Sequence, residues 1–215
     1  DRFGFSVSSA GDVNGDGVDD LIIGAPSADP NGSDSGSSYV VFGGGDFSIP
    51  LNLSSLDGSN GFRLVGVSIN DASGRSVSSA GDINGDGFDD LVIGAWGADL
   101  NGSYSGSSYV LFGRTGGFSS TLNLSSLNGS NGFRIDGVAA YDVSGFSVSS
   151  VGDINGDGFD DLIIGAPYAD PNGSYSGSSY VVYGSGGGFS STLNLSTLNG
   201  SNGFRIDGVA AGDYS

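Results

Sequence analysis

Along the whole chain, short runs of Val, Ile, Leu, Phe and Tyr are separated by clusters of Gly, Asn, Asp and Ser, a pattern that predicts β-strands divided by turns. Over residues 71–141 four such runs stand out, at 75–80, 90–96, 107–112 and 133–138, and together they read as one four-stranded antiparallel unit. Short loops join the earlier runs, whereas 114–131 is long. That segment contains TLNLSSLNGSNG, whose Leu122, Leu124 and Leu127 give it an apolar side expected to pack over the edge of the sheet.

The pattern repeats. Asp12, Asp82 and Asp153 open equivalent segments, at a period of 70 and then 71 residues, and Gly61-Phe62-Arg63 recurs at Gly132-Phe133-Arg134 and Gly203-Phe204-Arg205. Three units follow, 1–70, 71–141 and 142–215, the last running three residues into the phase of a further unit. A single four-stranded sheet cannot bury both of its faces, so neighbouring units must stack, and radial stacking of such sheets makes a β-propeller. The expected fold is therefore all-β, an open array of propeller-type blades. Closure needs at least about four blades. The end faces are expected to be uncovered, at Val7, Leu21 and Ile23 on one side and at Val148, Leu162 and Ile164 on the other. The expected partner is a further copy or further repeats, docked head-to-tail into a ring or a filament.

Composition narrows the chemistry. All 24 acidic residues are Asp and all six basic residues are Arg, and His, Cys, Lys, Glu, Gln and Met are absent. Missing helix formers support the all-β reading. Without His, Cys or Lys there is no imidazole or thiolate for a zinc site and no base or nucleophile for the common catalytic triads. A net charge of −18 disfavours nucleic acid and anionic lipid as partners, and no apolar run is long enough for a membrane-spanning helix. Residue 1 falls inside a motif, and no signal peptide is visible. Divalent cations are the natural partner.

The sharpest chemical signal is D-x-N-G-D-G-x-D-D, present three times. Oxygen-bearing residues at alternate positions, with Gly at the sixth, allow a tight loop to turn several oxygens onto one hard cation. The expected ligands are Asp12, Asn14, Asp16 and Asp20 with the Val18 carbonyl; Asp82, Asn84, Asp86 and Asp90 with the Phe88 carbonyl; and Asp153, Asn155, Asp157 and Asp161 with the Phe159 carbonyl. Gly15 and Gly17 permit the positive φ that the wrap requires. All-oxygen ligation in a flexible loop favours Ca²⁺ over Mg²⁺. Three bound Ca²⁺ would change the formal charge from −18 to −12. In the competing reading, Asn-Gly and Asp-Gly only make tight turns. The eighth-position residues, such as Asp89, are expected to point outward.

The segment GFSVSSAGDVNGDGVDDLIIGAP resembles the FG-GAP repeat, the blade unit of integrin alpha-subunit propellers and of many secreted bacterial proteins. Phe3-Gly4 and Gly24-Ala25-Pro26 carry the resemblance in the first unit; the second departs to Ser73-Gly74 and Gly94-Ala95-Trp96, and the third to Ser144-Gly145 with Gly165-Ala166-Pro167 retained. The resemblance implies four-stranded blades with the acidic loop between strands one and two, and an extracellular or cell-surface location. It implies no enzymatic activity. The expected function is a calcium-binding scaffold for adhesion or structural assembly, with a glycan or an extracellular protein as a further partner. A carbohydrate-binding module, or the noncatalytic propeller of a larger secreted hydrolase, stands as the alternative.

Three lesser features remain. A polar hairpin at Asp29, Asn31, Ser33 and Ser35, with its repeats, reads as a turn or as a weak second ion or sugar site. N-x-S sequons begin at Asn31, Asn52, Asn101, Asn123, Asn128, Asn172, Asn194 and Asn199. Arg63, Arg134 and Arg205 are expected to pair with loop Asp residues or to blunt an exposed strand edge.

Overall fold

The computed structural model describes residues 1–45 and 50–214. Its strands are β1 (Ser6–Gly11), β2 (Asp20–Ala25), β3 (Ser37–Val41), β4 (Gly61–Val65), β5 (Ser76–Gly81), β6 (Asp90–Ala95), β7 (Ser107–Leu111), β8 (Thr121–Asn123), β9 (Gly132–Asp136), β10 (Ser147–Gly152), β11 (Asp161–Ala166), β12 (Ser178–Val182), β13 (Thr192–Asn194) and β14 (Gly203–Asp207). Three single-turn 3-10 segments are the only helical elements among the described residues, and none is long and apolar enough to cross a membrane.

The strands form three open sheets in the orders β1-β2-β3-β4-β8, β5-β6-β7-β9-β13 and β10-β11-β12-β14. The first four strands of each run antiparallel in one shared register: Ile22, Val40 and Phe62 stand side by side, as do Val92, Val110 and Phe133, and Ile163, Val181 and Phe204. Because side chains alternate along a strand, Leu91 and Ile93 leave the middle sheet on one face and Val92 on the other. Both faces of that sheet are apolar, so it must be covered twice.

The core accordingly consists of two layers between sheets. In the first, Ile22, Val40, Phe62 and Leu64 pack with Val77, Leu91, Ile93 and Leu111. In the second, Val92, Val110, Phe133 and Ile135 pack with Val148, Leu162, Ile164 and Val182. The stacking direction corrects one expectation. Val148, Leu162 and Ile164 face the middle sheet and are buried, whereas the uncovered apolar positions beyond the third sheet are Val151, Ile154 and Ile206. At the other end Val7 and Leu21 are 66% and 53% exposed, against 4% and 0% for their middle-sheet counterparts Val77 and Leu91.

The long connection does more than cover an edge. β8 pairs in parallel with β4 of the preceding sheet, and β13 with β9, so each connection straps the outer strand of the sheet before it. The amide of Arg63 donates to the Ser120 carbonyl at 2.9 Å and that of Arg134 to the Ser191 carbonyl at 3.0 Å. Phe118 stacks on Phe62 with centroids 4.3 Å apart, and Phe189 on Phe133 at 4.2 Å. Leu124 is buried in the first layer, with Leu122 and Leu127 packed against it. Among the described residues β14 has no such strap, and its outer edge is unpaired.

Candidate metal centre

The acidic loop joins the first two strands of each sheet, entered through a bulge between Ser9 and Gly11 or its equivalent. In the first copy the Asp12 carboxylate accepts hydrogen bonds from the amides of Gly15, Asp16 and Gly17 at 2.8, 3.0 and 2.8 Å. The Asn14 side-chain oxygen accepts from the Asp16 amide, and the Asp16 carboxylate accepts from the Val18 amide and from the Asn14 side-chain amide. The same bonds recur in the second loop, through Asp82, Asn84, Asp86 and Phe88. They recur again through Asp153, Asn155, Asp157 and Phe159. Positive φ at Gly15 allows the amides to converge on the first-position carboxylate.

The ninth position is different, because Asp20, Asp90 and Asp161 are fully buried. Each is held by two amides, from Val13 and Gly43, from Ile83 and Gly113, and from Ile154 and Gly184. Burial, helped by repulsion from Asp16 and Asp12, pushes the Asp20 carboxyl up to about 6. Burial, with Asp86 and Asp82 nearby, pushes that of Asp90 up to about 8, and burial also raises Asp161. Asp90 is raised furthest of the two because sheets enclose its loop on both sides. A buried carboxylate beside two others is unfavourable without a compensating positive charge.

The donors available to a cation are oxygens alone: three carboxylates, one side-chain amide oxygen and backbone carbonyls. That set suits a hard divalent cation. Among the described residues no three acids already stand as a metal-holding cluster, since the side chains at positions one, three and five bend onto the loop's own amides. The carboxylate oxygens in those bonds keep further lone pairs for a cation.

The structure corrects the reading of position eight. Asp89 does not point outward: its carboxylate accepts from the Asp12 amide of the preceding loop at 2.8 Å, and Asp160 accepts from the Asp82 amide at 2.9 Å. The Asp89 amide in turn donates to the Asp12 carbonyl, and the Asp160 amide to the Asp82 carbonyl. Phe88 lies against Gly15, where an added Cβ would fall 2.3 Å from the ring, and Phe159 lies against Gly85 in the same way. The second and third acidic loops therefore each hold the loop before them. Gly81 and Gly152 supply an internal comparison, both at positive φ, because a Cβ at Gly81 would fall 2.1 Å from the Asp160 carboxylate while one at Gly152 meets nothing within 4 Å. Gly81→Ala is expected to lower the melting temperature more than Gly152→Ala; equal losses would contradict the clasp.

The remaining sequence features resolve simply. In the polar hairpin Asp29 accepts from the Asp34 amide, closing the turn, and Asn31 donates to the Gly66 carbonyl beyond β4, tying the turn to its own sheet. Arg134 and Arg205 pair with Asp136 and Asp207 on their own strands, not with loop acids, at 2.6 and 2.7 Å. Arg63 instead donates to Ser37.

Comparison with known proteins follows the same segments. The FG-GAP repeat profile matches residues 3–41, 73–111 and 144–182. The chain is 35% identical over 173 residues to integrin alpha-PS5 of Drosophila melanogaster, covering 78% of this chain and 15% of that protein. It is 33% identical over 190 residues to the phosphatidylinositol-glycan-specific phospholipase D of Bos taurus, covering 83% and 21%. It is 33% identical over 172 residues to integrin alpha-5 of Xenopus laevis, covering 76% and 14%. The chain thus spans about a fifth or less of the length of these relatives.

Proposed function

Because the chain belongs to the FG-GAP repeat family, we propose that it is a calcium-stabilised, non-enzymatic extracellular scaffold whose blades serve adhesion or structural assembly. The observation that carries this reading is the thrice-repeated loop with a fully buried Asp at its ninth position, beside two more carboxylates in the first two copies and beside Asp157 in the third. Asp12, Asn14, Asp16, Asp20 and the Val18 carbonyl would hold one Ca²⁺, and the equivalent residues in the other two loops would hold two more. The ion would supply the positive charge that these carboxylates lack. With the integrin relatives, the oxygen-only donor set supports an extracellular setting.

Head-to-tail continuation belongs to the same reading. The uncovered Val151 and Ile206 and the unstrapped edge of β14 at one end are complemented by Val7 and Leu21 at the other, where the middle sheet's counterparts are buried by a neighbour. A following FG-GAP blade, from a second copy or from further repeats, would repeat the two interfaces already present. The phospholipase D relatives favour a second reading, in which these blades are the noncatalytic part of a larger secreted hydrolase.

The test of the ligand assignment is calcium stoichiometry. Asp86→Ala removes the fifth-position ligand of the middle loop and is expected to reduce the number of bound Ca²⁺ by one. A variant that binds as many ions as the wild type would refute that role.

A further inference from the structure

The junction between the first two sheets carries a pocket of about 350 Å³ at the end opposite the acidic loops, beside the β2–β3 and β6–β7 turns. Its walls include Phe5, Asp34, Asn70, Arg75, Trp96 and Tyr104, with Arg2 at the same opening. The volume lies toward the lower end of small-molecule sites, roughly 300–1,000 Å³.

Three features of its lining bear on what it can hold. The Arg75 guanidinium is sandwiched between the rings of Phe5 and Phe146, at 4.5 and 4.2 Å from their centroids. The rings cover its faces and leave the N–H donors at its edges, and among the described residues no carboxylate pairs with it. Trp96, the only tryptophan of the chain, is half-buried and stacked on Tyr104 at 5.7 Å, forming an aromatic platform. Asp34, on the same pocket, offers a carboxylate that accepts hydrogen bonds from hydroxyls.

These residues are also where the near-identical repeats part. At the junction of the second and third sheets, Tyr104 stands where Asp34 does, Tyr141 for Asn70, Phe146 for Arg75 and Pro167 for Trp96. The Asp34 carboxylate and the Asn70 amide thus belong to the first junction alone, while Arg75, between Phe5 and Phe146, stands where the two junctions meet. An unpaired cation in a chain of net charge −18 points to an anionic ligand. The carboxylate of Asp34 would repel a simple anion such as phosphate, but it suits one that also presents hydroxyls. An aromatic platform suits the apolar face of a sugar ring.

We propose that this pocket binds an acidic sugar, a pyranose whose carboxylate pairs with Arg75, whose ring stacks on Trp96 and whose hydroxyls donate to Asp34. A bidentate Arg–carboxylate pair supplies both affinity and selection over neutral sugars. Uronates and sialates share this chemistry.

Trp96 is its own reporter. Digalacturonic acid and 3′-sialyllactose, titrated separately in calcium buffer, are expected to change Trp96 emission saturably for at least one of the two, and the one that binds identifies the source. Lactose is expected to bind far more weakly. Arg75→Phe and Trp96→Pro install residues that the other two repeats carry at the same positions, so the fold has a precedent for both. Followed by calorimetry, Arg75→Phe is expected to weaken acidic-sugar binding about tenfold or more and to erase the preference over lactose, and Trp96→Pro to weaken all sugars. Failure of both acidic sugars to bind, equal binding of lactose, or Arg75→Phe binding like the wild type would each overturn the proposal. So would binding lost on chelation yet retained by Arg75→Phe, which would assign the carboxylate to a loop cation.

Discussion

Removal of Ca²⁺ by a chelator is expected to lower the melting temperature of this protein by roughly 15–30 °C. A ligand that binds only the native state stabilises it by about 2.7 kcal/mol at a hundredfold excess over its dissociation constant, so three sites contribute about 8 kcal/mol. For a chain of this size each kcal/mol shifts the midpoint by roughly 2–4 °C. The physical cause lies in Asp20, Asp90 and Asp161, which are buried beside like charges, two each for Asp20 and Asp90 and Asp157 for Asp161. Without a cation, their ionisation opposes folding. The effect should be specific to divalent ions and should survive moderate salt, because the ninth-position carboxylates are shielded from solvent. Scanning calorimetry with and without chelator checks it; a midpoint unchanged within a degree or two would contradict it.

Asp89→Ala and Asp160→Ala are each expected to destabilise the fold by about 1–3 kcal/mol, whereas Asp19→Ala at the equivalent place in the first repeat should have little effect. The cost is that of leaving an amide at a sheet junction without its acceptor. Asp89 and Asp160 accept from the Asp12 and Asp82 amides, whereas Asp19 is exposed. Because all three share one sequence context, the comparison isolates the junction from the loop itself. Chemical denaturation of the three variants measures it, and equal losses at all three positions would assign the effect to the loop's own electrostatics.

Local patterns were legible in the sequence where each segment determines its own conformation. The strands at 90–96 and 107–112 are short apolar runs bounded by turn residues, which brackets their limits, observed as Asp90–Ala95 and Ser107–Leu111. The acidic loop is readable because its Asp, Asn and Gly spacing specifies its own turn. What escaped the reading depends on how one repeat meets the next. Leu91 and Val92 are both apolar and point to opposite faces, so the pattern cannot say which face meets the preceding sheet. For the same reason the pattern assigns the exposed end to Val148, Leu162 and Ile164, whereas the structure exposes Val151 and Ile206. The role of Asp89 as a clasp, the stacking of Phe118 on Phe62 and the pairing of β8 with β4 all join residues of different repeats. A period reveals that units stack but not their handedness or offset.

The central claim, that the three acidic loops hold Ca²⁺, is tested most directly by anomalous diffraction from crystals grown with calcium. The account predicts three anomalous peaks per chain, one in each loop, surrounded by the oxygens of Asp12, Asn14, Asp16 and Asp20 and of their counterparts in the other two repeats. Loops without anomalous density at saturating calcium, with their carboxylates still bonded to the loop amides, would contradict it.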